Sequence, residues 1–153
     1  MKSLKILILF LIPLSLFAKE EIDGAFGIKF GQEFPDSDKL VVEFKPAVPL
    51  DAYEKYEYSL TPISKKVYKV KASMPSKDCS TFFNEILTIL DIKYKREIIG
   101  KPKYTDDNEN TVEASCLGGI FGGYLTYTSS ELSVVAEEER KKLKIIELQK
   151  VDL

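Results

Sequence analysis

Apolar and polar residues alternate along six short segments of the chain, and each of these segments predicts a β-strand. Apolar side chains at every second position give a strand one face for a core and another for solvent. The alternation covers residues 25–30, 40–44, 56–60, 68–72, 112–116 and 124–129. A Thr-Pro turn separates the third segment from the fourth, so these two segments predict a hairpin.

The apolar period changes between the fourth and fifth segments. Seven apolar residues at i, i+3, i+4 spacing predict a helix over about 77–95. A broken apolar stripe after Ser129 and Ser130, either of which can cap a helix, predicts a second helix at the C-terminal end. The order β-β-β-β-α-β-β-α predicts an α+β fold, in which an antiparallel sheet of about six strands has both helices packed on one face.

The first 18 residues have the pattern of a secretory signal peptide. Two lysines precede an apolar stretch at 6–17, and Ala18 supplies a small residue for cleavage. The stretch is shorter than the roughly 20 apolar residues of a membrane-spanning helix, although an uncleaved anchor is the alternative. We therefore predict a leader at 1–18 and a single domain at 19–153, with no membrane span after cleavage.

Cys79 and Cys116 are the two cysteines of the chain. An even number of cysteines in an exported protein indicates a disulfide, and here it would join the first helix to the fifth strand. Closing a loop of this length stabilises a domain by about 4 kcal/mol in the chain-entropy model. A metal pair or a redox thiol is the alternative, but the chain has neither a histidine partner nor a Cys-x-x-Cys motif.

Composition excludes several classes of function. The chain contains no histidine, which removes His-based triads, His-ligated metals and imidazole proton shuttles. We predict no metal and no cofactor. Without the leader, the chain has a net charge of about −4 and no separate basic block, which argues against binding nucleic acid. It also lacks Asn-x-Ser/Thr sites, so we predict a bacterial periplasmic location, with an extracellular one as the alternative.

Two polar or glycine-rich segments resemble ligand loops but depart from the required patterns. The string GGIFGG at 118–123 lies between predicted strands rather than before a helix, so it predicts a hairpin connection instead of a phosphate loop. The acidic segment at 106–110 has Thr111 where a calcium loop needs glycine and Leu117 where it needs a bidentate glutamate. It therefore predicts a solvated turn.

A candidate binding face is formed by five aromatic or apolar residues. Tyrosine offers apolar area together with a polar tip, which suits contacts with sugars and proteins, and an apolar loop tip can add to such a face. The face consists of Tyr53, Tyr56, Tyr58, Ile120 and Phe121. Strands also favour tyrosine for packing alone, so burial in the core is the alternative.

Three features together resemble a group of small exported bacterial proteins without an assigned function. They are the opening GAFGIKFG at 24–31, the T-P-x-x-x-K-V-Y hairpin at 61–68, and one cysteine on each side of a helix. The resemblance covers most of the chain after the leader. It implies an exported compartment and a common fold, and it carries no catalytic residue.

These observations lead to three hypotheses about function. The first is a non-enzymatic periplasmic accessory or assembly subunit that binds another cell-envelope protein or a second copy of itself. The second is a binding module for a small ligand, such as a sugar, a peptide or a lipid fragment, that uses the tyrosine strand. The third is a cell-wall hydrolase that works through carboxylates, although no paired acids stand in an apolar context.

Overall fold

A computed structural model describes residues 20–97, 102–117 and 122–151 of the chain. The predicted leader at 1–18 and the loop residues Ile120 and Phe121 lie outside the described residues. No helix in the described part is both long enough and apolar enough to cross a membrane.

The described residues form nine strands and two helices. The strands are β1 (Gly24–Ala25), β2 (Ile28–Lys29), β3 (Val41–Phe44), β4 (Lys55–Leu60), β5 (Val67–Met74), β6 (Lys95–Arg96), β7 (Lys103–Thr105), β8 (Thr111–Cys116) and β9 (Gly123–Thr128). The helices are α1 (Ser76–Lys93) and α2 (Ser130–Val151).

Seven of these strands form one antiparallel sheet in the order β3-β4-β5-β9-β8-β7-β6. β5 and β9 are neighbours at its centre, where Lys69 pairs with Thr128 and Met74 pairs with Gly123. The predicted α+β class and the order of the main strands and helices are confirmed. The short strands β6 and β7 were not predicted, and they extend the sheet beyond β8.

The segment at 25–30 does not form the single strand that its alternation predicts. Phe26 and Gly27 both have positive φ, at 54° and 84°, so the chain turns back between β1 and β2 and pairs Ala25 with Ile28. Positive φ at two successive residues defines the tight turn typical of two-residue hairpins. The prediction of one strand was wrong because alternation alone does not reveal a turn made by an aromatic residue.

The first helix packs on the apolar face of the sheet and is bonded to it. Cys79 and Cys116 form the predicted disulfide, with their Cα atoms 5.6 Å apart, which is within the usual range for such a bridge. Cys79 is fully buried. Further along the helix, the Tyr104 hydroxyl on β7 donates to the Leu87 carbonyl at 3.3 Å. The confirmed disulfide therefore holds the start of α1, and Tyr104 holds its second half.

The polar turn between β7 and β8 joins three parts of the chain. The Asp106 carboxylate accepts hydrogen bonds from the backbone N–H groups of Ile22, Asn108 and Asn110 at 2.8–3.0 Å. The Asn110 side chain donates to the Ile22 carbonyl and accepts from the first N–H of α2, at Ser130. These bonds occupy the Asp106 oxygens with N–H donors. The turn thus connects the N-terminal segment to the start of α2.

Helix α2 is held against the sheet through its first half. Its Glu139 side chain is buried, at 8 % exposure, and accepts hydrogen bonds from the N–H groups of Ile63 and Ser64 in the β4–β5 turn. Burial raises the pKa of Glu139, but the hydrogen bonds from Ser64 and Ile63 outweigh it and leave the pKa below its usual value. Arg140 donates to the Tyr68 hydroxyl at 2.8 Å. Together these contacts fix the helix to β5 and the turn before it.

Candidate functional site

An apolar pocket opens between α1, the loop before β4, the β1–β2 hairpin and strand β9. Its volume is about 340 Å³, which lies at the lower end of the range for small-molecule sites. The pocket lies on the apolar side of the sheet, where α1 and the loop at 50–53 leave a gap between them. Its position makes it a candidate site for one small molecule.

Two secondary-structure elements supply most of the apolar wall. On α1, Phe82, Ile86 and Leu90 follow one another at intervals of four residues and so lie on one side of the helix. On β9, Leu125 and Tyr127 alternate with residues of the opposite face and point toward the same pocket. The regular spacing in both elements explains why the wall is continuous.

The hairpin tip contributes Phe26, whose ring closes one side of the pocket. The ring packs edge-on against Tyr53, Tyr56 and Tyr127, with centroids 6.0, 5.1 and 5.9 Å away. Edge-to-face pairs of this kind each stabilise a structure by about 0.5–1.5 kcal/mol beyond area burial. They offset the cost of holding an aromatic residue at positive φ, so the unusual turn serves to place this ring.

The loop that forms the pocket's edge is fixed by Tyr56. The Leu50 N–H donates to the Tyr56 hydroxyl at 2.8 Å, and that hydroxyl donates back to the Leu50 carbonyl at 3.2 Å. The Tyr53 N–H also donates to the Leu50 carbonyl, at 3.0 Å. These bonds close a tight turn at 50–53 and hold its side chains beside α1.

Two tyrosines stand among the residues that line the pocket. Tyr53 is 7 % exposed, and its buried hydroxyl has no hydrogen-bond partner among the described residues. Burial and the nearby Tyr56 raise the pKa of Tyr53, and burial and the nearby Tyr94 raise the pKa of Tyr127. Both side chains are uncharged at physiological pH. Because the Tyr53 hydroxyl has almost no accessible surface, a ligand in the pocket does not reach it.

The mouth of the pocket combines exposed apolar and acidic side chains. Leu50 and Ile89 are about half exposed there, at 49 % and 54 %, and Asp51 and Glu85 stand beside them. Both charged residues of the described lining are acids. The site can therefore hold an apolar body inside and meet a polar group at its rim.

The candidate binding face proposed from the sequence is not a solvent-facing surface in its described part. Tyr53, Tyr56 and Tyr58 are all buried, at 5–7 % exposure, and the Tyr58 ring stacks on Phe34 with centroids 4.7 Å apart. Tyr56 and Tyr58 therefore pack in the core, which is the alternative interpretation of the tyrosine-rich strand. Of the three tyrosines, Tyr53 alone lines the pocket.

Most of the pocket was not found from the sequence. Its walls come from four separate parts of the chain, near residues 26, 50–53, 82–90 and 125–127. Each part has an ordinary core pattern, and only the packing of α1 against the loop reveals the gap. The sequence shows the apolar spacing of α1, but this spacing does not distinguish residues that face the sheet from residues that face the pocket.

Comparison with known proteins yields no match to a protein-family model, to a curated protein or to a solved structure.

Proposed function

We propose that this protein is a non-enzymatic module that binds a small, largely apolar ligand in the pocket between α1 and the loop at 50–53. The observation that carries the proposal is an apolar cavity of about 340 Å³ that aromatic and aliphatic side chains line on its inner wall. Ligand sites are commonly apolar clefts that contain a few well-placed polar groups. A lipid fragment fits this lining better than a sugar, because the interior offers few hydrogen-bonding groups.

The location that fits this role is the periplasm of a bacterium. The confirmed disulfide supports an oxidising compartment, and the leader pattern at 1–18 supports export. Extracellular release and hydrolysis of a wall polymer stay predictions from the sequence.

Filling the pocket is expected to abolish ligand binding. The neutral fluorescent probe N-phenyl-1-naphthylamine should bind the protein saturably, with one site per chain. Ile86→Phe replaces the isoleucine side chain with a larger aromatic side chain that fills part of the cavity. This change should weaken binding of the probe at least about tenfold. Thr88→Phe is the matched control, because Thr88 lies two residues further along the same helix and is exposed. Fluorescence titration measures the binding. If the natural protein does not bind the probe, or if both variants weaken binding equally, the pocket is not the binding site.

A second candidate function is attachment to another envelope protein through the end of α2. From Lys141 onward every described side chain of this helix is exposed, and four of those side chains are large and apolar. They are Leu143, Ile145, Ile146 and Leu148, at 38–58 % exposure. Exposed apolar groups that lie close together are typical of interaction surfaces.

Crosslinking in living cells tests this second function. A photo-crosslinking residue placed at Ile146 is expected to give one defined product with an envelope protein. The same residue at Asp107, in the exposed β7–β8 turn that bonds to the first residue of α2 at the opposite end of the helix, should give none. A product twice the size of the chain would indicate self-association instead, and no product above background in several growth conditions would contradict both forms of the hypothesis.

A further inference from the structure

We propose that the ligand of this pocket is a cationic amphiphile, in which a single short hydrocarbon chain carries a positively charged head group. This inference rests on the proposed ligand-binding function and adds the chemistry of the ligand. It follows from two properties of the pocket: its apolar interior and the charge of its mouth.

The apolar interior selects a hydrocarbon body. The inner wall consists of aromatic and aliphatic side chains, among them Phe26, Phe82, Ile86 and Leu125. Burying a hydrocarbon chain against such a wall removes apolar surface from water, which is the main favourable term in association. A volume of about 340 Å³ suits a single short chain rather than a lipid with two.

The mouth selects the charge of the head group. Asp51 and Glu85 are exposed at the rim, and among the lining residues that the structure describes there is no lysine or arginine. A carboxylate or phosphate head would meet two like charges, whereas an ammonium would meet two opposite ones. Exposed charge pairs are weak, and each changes an affinity by about twofold. Exchanging a carboxylate for an ammonium replaces two repulsions with two attractions, so the four contributions together give a preference of about tenfold.

Three ligands that share one acyl chain and one amide test the proposal. N-octanoyl-ethylenediamine carries an ammonium head, N-octanoyl-ethanolamine a neutral hydroxyl, and N-octanoylglycine a carboxylate. Isothermal titration calorimetry at low ionic strength and pH 7 should show the ammonium compound binding at least about tenfold more tightly than the carboxylate compound, with the neutral compound between them. Added salt should reduce the difference, because it screens exposed charges.

Variants separate the head group from the rest of the site. The combined change Asp51→Asn and Glu85→Gln should bring the three affinities within about twofold of one another, while Asp107→Asn, an exposed carboxylate outside the pocket lining, should leave the order unchanged.

The outcomes distinguish the two levels of the proposal. If none of the three ligands binds and the fluorescent probe does not bind either, the proposed function itself fails. If all three bind equally, or the carboxylate binds best, the pocket is a ligand site but the cationic head group is refuted.

Discussion

Replacing Cys79 and Cys116 together with alanine is expected to lower the free energy of unfolding by about 4 kcal/mol. The bond spans a sequence separation of 37 residues, and a closed loop of that size restricts the unfolded chain by about this amount. The change removes a large share of the stability of a small domain, which is typically about 5–15 kcal/mol. Urea denaturation of the oxidised natural protein and of the variant measures the difference.

Reduction provides the control for this prediction. The natural protein in excess reductant should have the same denaturation midpoint as the double variant, because both lack the covalent bond. Thiol labelling of the untreated protein under denaturing conditions should find no free cysteine. A midpoint that does not move when the bond is reduced would show that the link between α1 and β8 contributes little to stability.

Gly123→Ala is expected to destabilise the protein by about 3 kcal/mol, although it adds a single methyl group. Gly123 pairs with Met74 on one side and Cys116 on the other. A Cβ at this position would stand 2.5 Å from the Cys79 Sγ and 2.8 Å from the Ser115 carbonyl oxygen. Both distances are too short for real contacts, so the strands or the disulfide must move, and overpacking of this kind is costly. The denaturation midpoint in urea, at an unchanged slope, is the measurement.

A double-mutant cycle shows whether the disulfide causes this crowding. In the background where Cys79 and Cys116 are alanine, the Gly123→Ala change should cost about 1 kcal/mol less, because the Sγ atom nearest to the new methyl group is gone. Part of the cost should remain, since the Ser115 carbonyl is still in place. Equal costs in both backgrounds would exclude crowding against the disulfide.

The strands and helices that the sequence predicts correctly are those in which burial follows a strict period. β4 alternates between buried and half-buried positions along its whole length, and β5 does so from Tyr68 to Met74. Helix α1 repeats its apolar residues every three or four positions. In both cases the period of the apolar side chains identifies the type of element, because one face of the strand or helix packs against the core. The disulfide was predictable for a similar reason, since both cysteines fall on the inward face of their elements.

Short and strained segments were not predictable in the same way. β6 and β7 have two and three residues, which is too short for alternation to be recognised. The turn at Phe26 and Gly27 depends on an aromatic ring that packs against residues more than 25 positions away. Local patterns do not contain that information, because tertiary contacts override the ordinary preference of phenylalanine for negative φ.

The pocket could not be predicted from the sequence for a further reason. A cavity is space that several elements fail to fill, and no single residue marks it. Tyr53, on its wall, lies close to Tyr56 in the chain and belongs to the same tyrosine-rich segment. In the structure the Tyr56 hydroxyl bonds to Leu50, whereas that of Tyr53 has no partner in the described residues. The different surroundings of these two tyrosines therefore appear only in three dimensions.

The strand order of the large sheet has a consequence for the rate at which the chain reaches its native topology. One half of the sheet, β3 to β5, is a meander of neighbouring segments, and the other half, β6 to β9, is a second meander. The two halves meet at the β5–β9 seam, where Met74 pairs with Gly123. Each meander needs only short loops to close, whereas the seam joins residues far apart in sequence, and such closures are slow.

Oxidation of the cysteines shortens that distance. Cys79 follows β5 closely and Cys116 ends β8 just before β9 begins, so the bond leaves only about a dozen residues between the two sides of the seam along the covalent path. In a chain that oxidises early, β5 can therefore pair with β9 starting at the end near the disulfide, where Met74 pairs with Gly123. The bridge thus affects how quickly the two meanders find each other, and a reducing environment would slow their assembly.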